Sequence, residues 1–202
     1  MSADFADPDI ELMLRFQKGE ERCFEELVGK HTRGVLNLVF RYLGDASRAE
    51  DVAQDIFVKV YRARMKYEPK AKFSTWLYRI AVNHCLNEIR ARKSQPSLAA
   101  PINDMLEEPE GENPDARLSR AELQQAVKAA IDALPENQRM AVILARYEDM
   151  SYDEIAEVTG LPAGTVKSRI HRARAQVRLY VEAALGENVG GKVAVNKKRG
   201  GE

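Results

Sequence analysis

The sequence predicts an all-α protein in which two small helical domains are joined by a flexible linker, the C-terminal one a helix-turn-helix. Apolar residues recur at helical three- and four-residue steps along most of the chain, and no segment alternates convincingly like a strand. A proline-rich acidic stretch separates the two helical halves. With 202 residues, 45% of them hydrophobic, the chain is long enough for one or two cores.

Composition excludes several classes of protein. Charged residues make up 31% of the chain and balance to a formal net charge of +0. Any evidence for a nucleic-acid partner must therefore come from local charge asymmetry. Cys23 and Cys85 form no CxxC pair, which argues against a disulfide framework or a zinc finger. Residues 1–11 do not resemble a secretory signal, and the apolar runs are too short to cross a bilayer. We therefore expect a cytoplasmic protein.

The residues also contain no recognisable catalytic chemistry. The chain has no glycine-rich phosphate loop and no His, Cys, Asp and Glu set with metal-ligand spacing. Its three histidines are scattered along the sequence. We therefore expect neither an enzyme nor a cofactor or metal, and no small-molecule substrate.

The first half of the chain is predicted to begin with three helices. They span about residues 10–18, 21–42 and 46–64, and Gly44-Asp45 breaks the chain before the third. The third helix has a wide apolar face, as expected for a helix that packs on a core.

The outer face of the third helix carries Asp51, Gln54 and Asp55. Acidic residues near a helix N-terminus are favoured by the helix dipole, and on chemistry alone we prefer that explanation. The alternative is a docking face for a protein partner, because polar groups here lie beside an apolar strip.

A cationic loop over residues 64–73, which includes Lys66 and Phe73, precedes a fourth helix over 75–93 that Ser74 is expected to cap. One side of this helix combines an aromatic ring with amide and guanidinium groups, namely Trp76, Arg79, Asn83, Asn87 and Arg90. Aromatic rings stack on unpaired bases, amides contact base edges and arginines bind phosphates, so this side fits single-stranded nucleic acid. The spacing is equally compatible with Trp76 as a core residue.

The second half begins with residues 94–119, which contain four prolines and favour a solvated acidic linker. Amphipathic helices are predicted over about 120–133 and 136–147. With the segment that follows, they form the predicted C-terminal domain, residues 120–185. Residues 186–202, rich in Gly and Lys, are predicted to be a disordered basic tail.

Residues 151–178 carry the local signs of a helix-turn-helix. Ser151 and Glu154 have the spacing of a capping box, Gly160 can leave a helix with positive φ, and Pro162 can open the next helix. The second helix has an apolar stripe of Val166, Ile170, Ala173 and Val177. Its polar and cationic residues are Thr165, Lys167, Ser168, Arg169, His171 and Arg172. A cationic helix docked across a shorter one is typical of binding in the DNA major groove.

Four motifs in this order resemble a known family. They are DVAQDIFVKVY at 51–61, FSTWLYRIAVNHCLNEIR at 73–90, LPENQR at 134–139, and the segment 151–178 with its GTVKSRIHRAR. Together they resemble bacterial RNA polymerase sigma factors of the extracytoplasmic function type, over roughly residues 11–184. The resemblance implies an N-terminal sigma domain at residues 1–93 and a C-terminal one at 120–185.

The resemblance also implies roles for individual residues. Asp51, Gln54 and Asp55 stand where the family docks on the clamp helices of the polymerase largest subunit, which reverses the dipole preference. The loop and the fourth helix would recognise and hold open the minus-ten element through Lys66, Phe73, Trp76, Arg79, Asn83 and Asn87. Asn87 departs from the family, which often has Asp there. The minus-thirty-five element would be bound by Thr165, Lys167, Ser168, Arg169, His171 and Arg172.

The implied function is that of a sigma factor, which binds core RNA polymerase, directs it to specific promoters, helps to melt the minus-ten region and starts transcription. The linker would thread toward the polymerase interior, and the polymerase flap would be a further contact. Such factors are usually held inactive by a cognate anti-sigma factor, often membrane-anchored. Two rival interpretations are a dimeric helix-turn-helix repressor or activator and an adaptor that binds only protein, but each leaves some of the motifs without a role.

Overall fold

A computed structural model describes residues 7–93 and 114–197, and the side chains of residues 7–91 and 121–186. Within these ranges all regular secondary structure is helical, which confirms the all-α prediction. The helices are α1 (Pro8–Gln17), α2 (Glu21–Leu43), α3 (Ala46–Ala63), a short 3-10 helix (Arg64–Lys66), α4 (Phe73–Lys93), α5 (Pro114–Asp132), α6 (Glu136–Tyr147), α7 (Tyr152–Thr159) and α8 (Ala163–Lys197).

The start of α4 differs from the prediction. The helix begins at Phe73, and the carbonyl of Lys72 accepts the Trp76 amide at 3.3 Å, so Ser74 lies inside the helix and the expected Ser74 cap is wrong. The amide of Phe73 instead donates to Asp7 Oδ2 at 2.9 Å. A carboxylate distant in the sequence thus does what a local cap was expected to do.

Two other boundaries also differ from the sequence-based expectation. Helix α5 begins at Pro114, inside the predicted linker, at a position where a missing amide hydrogen costs nothing. The remainder of the predicted linker, residues 94–113, lies outside the described residues. Helix α8 continues from the predicted helix-turn-helix to Lys197, because extending an existing helix is easier than nucleating one. Only residues 198–202 of the predicted tail lie outside the described residues.

By their contacts the described residues fall into two compact units. The first comprises those up to residue 103 and those in 143–166, and the second those in 104–142 and 167–202. These units follow spatial contacts, whereas the predicted domain boundaries follow chain order and remain a prediction.

The first unit has a core in which α1, α2, α3 and α4 contact one another. Gly44 ends α2 in the left-handed conformation with φ 76°, which lets α3 begin two residues later and fold back on α2. The largest fully buried side chains of these helices are Met13, Phe16, Leu27, Leu38, Tyr42, Ile56, Phe73 and Leu77. This core supports both surfaces described below.

The second unit contains a smaller cluster of buried residues. Ile131 and Leu134, at the end of α5 and just after it, pack with Val142 of α6 and Ala173 of α8. Val127 and Val177 lie partly buried against them.

Candidate protein and nucleic-acid interfaces

An apolar groove with a volume of about 680 Å³ lies on α2 and α3. Leu36 lines this groove and is only partly buried. The other apolar lining residues include Phe24, Val28, Ala53, Phe57 and Val58. Exposed apolar surface bordered by polar side chains is typical of sites that bind another protein, and an apolar groove accommodates an amphipathic helix.

The predicted docking residues Asp51, Gln54 and Asp55 are all exposed on α3. Gln54 lines the groove, together with Glu50. The helix begins at Ala46, its first turn contains no acid, and Asp45 caps it by accepting the Arg48 amide at 3.1 Å. Because the dipole effect fades after the first turn, it explains these acids poorly, and the docking alternative gains support.

Polar contacts join α3 to α4. Arg48 Nε donates to Glu88 Oε1 at 2.8 Å, across 40 residues of sequence. His84 Nε2 lies 3.8 Å from the Asp55 carboxylate. Burial and the nearby Lys59 ammonium lower the pKa of His84, so the imidazole is neutral at pH 7 and forms no ion pair there. Asp55 is therefore available to a partner.

The loop between α3 and α4 combines buried ring residues with exposed cations. Tyr67 and Phe73 are buried, at 4% and 1% exposure. Lys66, Lys70 and Lys72 are exposed. Burial, with the Asp7 and Asp9 carboxylates, raises the pKa of Tyr67 to about 12, so its hydroxyl stays neutral. Because Phe73 is buried, its ring supports this surface from the core side and is not offered to a base.

Trp76 lies at the edge of the same aromatic cluster. Its ring centroid is 4.9 Å from that of Tyr67, in an edge-on arrangement, and 5.9 Å from that of Phe73. The residue is only partly buried. Trp76 therefore packs on the core and keeps exposed surface, a combination that suits a stacking platform for a base.

The remaining predicted residues of α4 form an exposed polar face. Arg79, Asn83 and Asn87 are exposed and follow one another at four-residue steps, which places them along one side of the helix. The Asn87 Oδ1 accepts a hydrogen bond from Arg90 Nη1 at 3.3 Å. This side offers guanidinium and amide groups next to Trp76.

Helix α7 packs against α4 within the first unit. Lys72 Nζ lies 2.8 Å from Glu154 Oε1, and the Tyr78 hydroxyl donates to Glu148 Oε2. Burial raises the pKa of the Glu148 carboxyl and of the Tyr78 hydroxyl. Since Lys72 is paired with a protein carboxylate here, a DNA phosphate would have to replace Glu154 to bind it.

The start of the helix-turn-helix is formed as the sequence predicted. Ser151 Oγ accepts the Glu154 amide at 3.2 Å while Glu154 Oε2 accepts the Ser151 amide at 2.9 Å, which confirms the capping box. Lys72 and the Ser151 amide lower the pKa of Glu154 to about 2. Gly160 is left-handed with φ 69°, and the Pro162 carbonyl accepts the Val166 amide at 3.1 Å, one residue before α8 begins.

The first turns of α8 separate apolar from polar residues. Val166, Ile170 and Ala173 are buried, as the predicted stripe requires. Lys167, His171 and Arg172 are exposed, whereas Thr165, Ser168 and Arg169 are partly buried. The predicted DNA-contacting residues thus lie on one helix, with the exposed cations as the groups best placed to meet a phosphate or a base edge.

Sequence reasoning missed two residues that contact the cationic loop, Asp7 and Gln17. The Asp-Pro pair at 7 and 8 is a recognisable helix start, and Asp7 does cap α1 by accepting the Asp9 amide at 3.0 Å. Nothing in the sequence pattern relates either residue to loop atoms that lie 47 to 66 positions away.

Two kinds of feature are absent from the part of the chain that the structure describes. There, no helix is both long enough and apolar enough to cross a membrane. Among the same residues, no group of His, Cys, Asp and Glu has the arrangement of a metal site.

Comparison with known proteins shows similarity along almost the whole chain. The family model for Sigma-70 region 2 matches residues 27–95, and that for Sigma-70, region 4 matches residues 124–177. The RNA polymerase sigma-H factor of Pseudomonas aeruginosa is 38% identical over 188 residues, which cover 90% of this chain and 97% of the relative. The ECF RNA polymerase sigma-E factor of Escherichia coli K12 is 38% identical over 185 residues, 88% of this chain and 96% of the relative.

Solved structures have the same fold. CnrH, in complex with the cytosolic domain of CnrY, is 26% identical with a TM-score of 0.66, over 88% of this chain and 99% of that one. The sigma factor RpoE of Bartonella quintana, in complex with the anti-sigma factor NepR, is 22% identical with a TM-score of 0.63, over 79% and 96%. With both sigma regions matched in chain order and full-length relatives at 38% identity, the chain belongs to the extracytoplasmic function family of RNA polymerase sigma factors, which are transcription initiation factors.

Proposed function

We propose that this sigma factor docks on the clamp helices of the polymerase largest subunit through the groove on α2 and α3. The observation that carries this proposal is the apolar groove with Gln54 on its lining and with Asp51 and Asp55 exposed on the same helix. An amphipathic helix can place apolar residues in the groove while its cationic residues meet the two carboxylates. The charged residues then set orientation, and the buried apolar area supplies most of the affinity.

The minus-ten element is bound by the loop over 64–73 and the exposed side of α4. Exposed Lys66 and Arg79 attract the phosphates, Asn83 and Asn87 offer amide groups to base edges, and the partly exposed Trp76 stacks on an unpaired base. Opening the duplex costs stacking and pairing energy, which capture of an unpaired base partly offsets. Phe73 contributes from the core by supporting Trp76, with ring centroids 5.9 Å apart.

The minus-thirty-five element is bound by the first turns of α8. Lys167, His171 and Arg172 are exposed there, while Thr165, Ser168 and Arg169 lie nearer the buried side. Two DNA-binding surfaces joined by a linker gain affinity from each other only when a scaffold sets their spacing. Core polymerase is that scaffold, with the flap as a contact for the C-terminal domain, so the free protein should bind promoter DNA weakly.

We also infer regulation by an anti-sigma factor. The similar CnrH was solved with the cytosolic domain of CnrY, and the Bartonella RpoE with the anti-sigma factor NepR. The groove on α2 and α3 is the surface that such a partner would cover to keep polymerase away. The sigma factor would act in the cytoplasm, and would be held at the inner membrane where its anti-sigma factor is membrane-anchored.

The test is transcription in vitro with purified core polymerase on a library of promoter fragments, with and without this protein. Specific initiation that requires the protein supports the proposal and yields a promoter for further work. Absence of initiation, combined with tight binding of the free protein to a palindromic duplex, would favour a dimeric helix-turn-helix regulator instead.

Two variants assign the DNA-binding surfaces. Trp76→Ala should weaken open-complex formation by about 1–3 kcal/mol while leaving closed binding unchanged, because base stacking is made only after opening. Equal losses in closed and open complexes for Trp76→Ala would mean that its ring serves only the core.

Arg172→Ala should weaken binding to the minus-thirty-five element, with Arg178→Ala, exposed on the same helix, as the matched control.

A further inference from the structure

The beginning of the cationic loop is held by one side chain of α1. The Gln17 Nε2 donates to the carbonyl oxygen of Arg64 at 2.6 Å and to that of Tyr67 at 2.9 Å. Both hydrogens of the amide are therefore used, and both acceptors are backbone carbonyls, one at the first residue of the 3-10 helix and one at the residue that follows its last. A side chain that binds two carbonyls three residues apart restrains the backbone between them.

The end of the same loop is held by the residue at the other end of α1. Asp7 Oδ2 accepts the Phe73 amide at 2.9 Å, while Oδ1 accepts the Asp9 amide at 3.0 Å. One carboxylate therefore satisfies an amide at the N-terminus of α1 and another at the N-terminus of α4. A negative charge is also favoured at each of these helix starts.

Helix α1 is itself firmly held between these two contacts. It has 10 residues and thus a length of about 15 Å. Met13 and Phe16 are fully buried, and the Phe16 ring stacks on that of Phe24 at 4.8 Å. Asp9 binds His31 Nε2 at 2.8 Å and Lys30 Nζ at 3.0 Å, both on α2. Its ends therefore cannot move independently of the core.

We propose that α1 sets the distance between the two ends of the loop over 64–73, and that Asp7 and Gln17 are positioning residues for promoter opening. This inference rests on the proposed role of the loop and α4 in binding the minus-ten element. Neither residue touches DNA in this scheme. Both also lie outside residues 27–95, the part of the chain that the Sigma-70 region 2 model matches.

The physical benefit is preorganisation of the loop. Its two ends are restrained, while Lys66 and Lys70 between them are exposed. Ordering a free loop on DNA would cost conformational entropy, so a loop already held in place binds the opened strand more tightly. The restraint at Phe73 also fixes the start of α4, three residues before Trp76.

The experiment measures opening of a duplex promoter by the full chain bound to core polymerase, with 2-aminopurine in the minus-ten element as the probe. Asp7→Ala removes both accepted hydrogen bonds, and Gln17→Glu keeps the size of the side chain but removes both donors. We expect each variant to reduce the equilibrium constant for opening about five- to tenfold, the effect of losing one or two hydrogen bonds. Affinity for core polymerase should stay within twofold, because the groove on α2 and α3 is not altered.

Matched variants separate positioning from general folding. Glu11→Gln is the control on α1, since Glu11 is exposed. Asp7→Asn keeps one acceptor oxygen and should recover part of the opening that Asp7→Ala loses. Thermal unfolding of each variant shows whether any loss of opening merely follows loss of folded protein.

Three results would overturn the inference. Normal opening by Asp7→Ala and Gln17→Glu, while Trp76→Ala is defective, would remove α1 from the mechanism and leave the proposed function intact. Equal loss of polymerase affinity and of opening would make both residues merely structural. Normal opening by Trp76→Ala and Lys66→Ala as well would refute the minus-ten assignment, and the role of α1 with it.

Discussion

The cationic loop before α4 and the helix-turn-helix are both proposed to bind DNA, yet they are built in opposite ways. In the helix-turn-helix, Ser151 and Glu154 bond to each other three residues apart. The loop instead depends on Gln17, which lies 47 and 50 residues from its acceptors, and on Asp7, which lies 66 residues from Phe73. The start of the helix-turn-helix is thus specified by neighbouring residues, whereas the irregular loop is held by residues distant in the sequence.

The largest effect is expected from the core beneath the loop. Phe73→Ala should lower the free energy of unfolding by about 3–5 kcal/mol, because the ring is 1% exposed and its removal leaves a cavity. Urea denaturation of the full chain measures this, with Met65→Ala, at an exposed site in the same region, expected to change stability by less than about 0.5 kcal/mol. If Phe73→Ala had a small effect on stability but a large effect on promoter opening, Phe73 would have to contact DNA after all.

A smaller effect is expected from removing the N-terminal cap of α7, the first helix of the helix-turn-helix. Ser151→Ala should lower the stability of α7 by about 1 kcal/mol, because the Glu154 amide loses its acceptor. Hydrogen exchange at the amides of the first turn of α7 is the direct measurement. Ser47→Ala, at an exposed site in the first turn of α3, is the control. Equal protection in wild type and Ser151→Ala would mean that packing on α4 alone holds this helix.

The smallest effect concerns two carboxylates whose pKa values move in opposite directions. It is expected to be small because solvent screens the Lys72–Glu154 pair, in which the lysine side chain is 64% exposed. Lys72 lowers the pKa of Glu154 to about 2 from 4.5. The contribution of the ionised Glu154 to the free energy of unfolding is therefore complete above pH 4.5 and is lost as pH falls toward 2. Burial raises the pKa of Glu148, so the folded state favours its protonated carboxyl. The contribution of this protonated form to the free energy of unfolding is complete below pH 4.5 and is lost as pH rises through the folded-state pKa.

The measurement is the free energy of unfolding against pH for wild type, Glu154→Gln and Glu148→Gln. The difference between wild type and Glu154→Gln should grow from pH 2 to pH 4.5. The difference between wild type and Glu148→Gln should change in the opposite sense above pH 4.5. Parallel curves for all three proteins would contradict the opposite environments that the structure shows.

Much of the fold and part of the candidate site were predictable from the sequence. The bounds of α6, the capping box at Ser151, the left-handed Gly160 and the buried stripe of α8 all follow from residues within a few positions of one another. The start of α4 was predicted wrongly, since the amide of Phe73 is satisfied by Asp7 and not by a neighbour. The residue assignments for polymerase and promoter binding remain predictions, which the variants above can test.

The sequence by itself determined the helices, most of their ends and the motifs of a sigma factor, because helix periodicity, caps and left-handed glycines are properties of adjacent residues. Tertiary structure alone decided that Phe73 is buried while Trp76 keeps exposed surface, that Leu36 lines a groove, and that Asp7 and Gln17 hold the two ends of one loop. Burial and long-range hydrogen bonds depend on which helices meet, and no spacing within one segment contains that information.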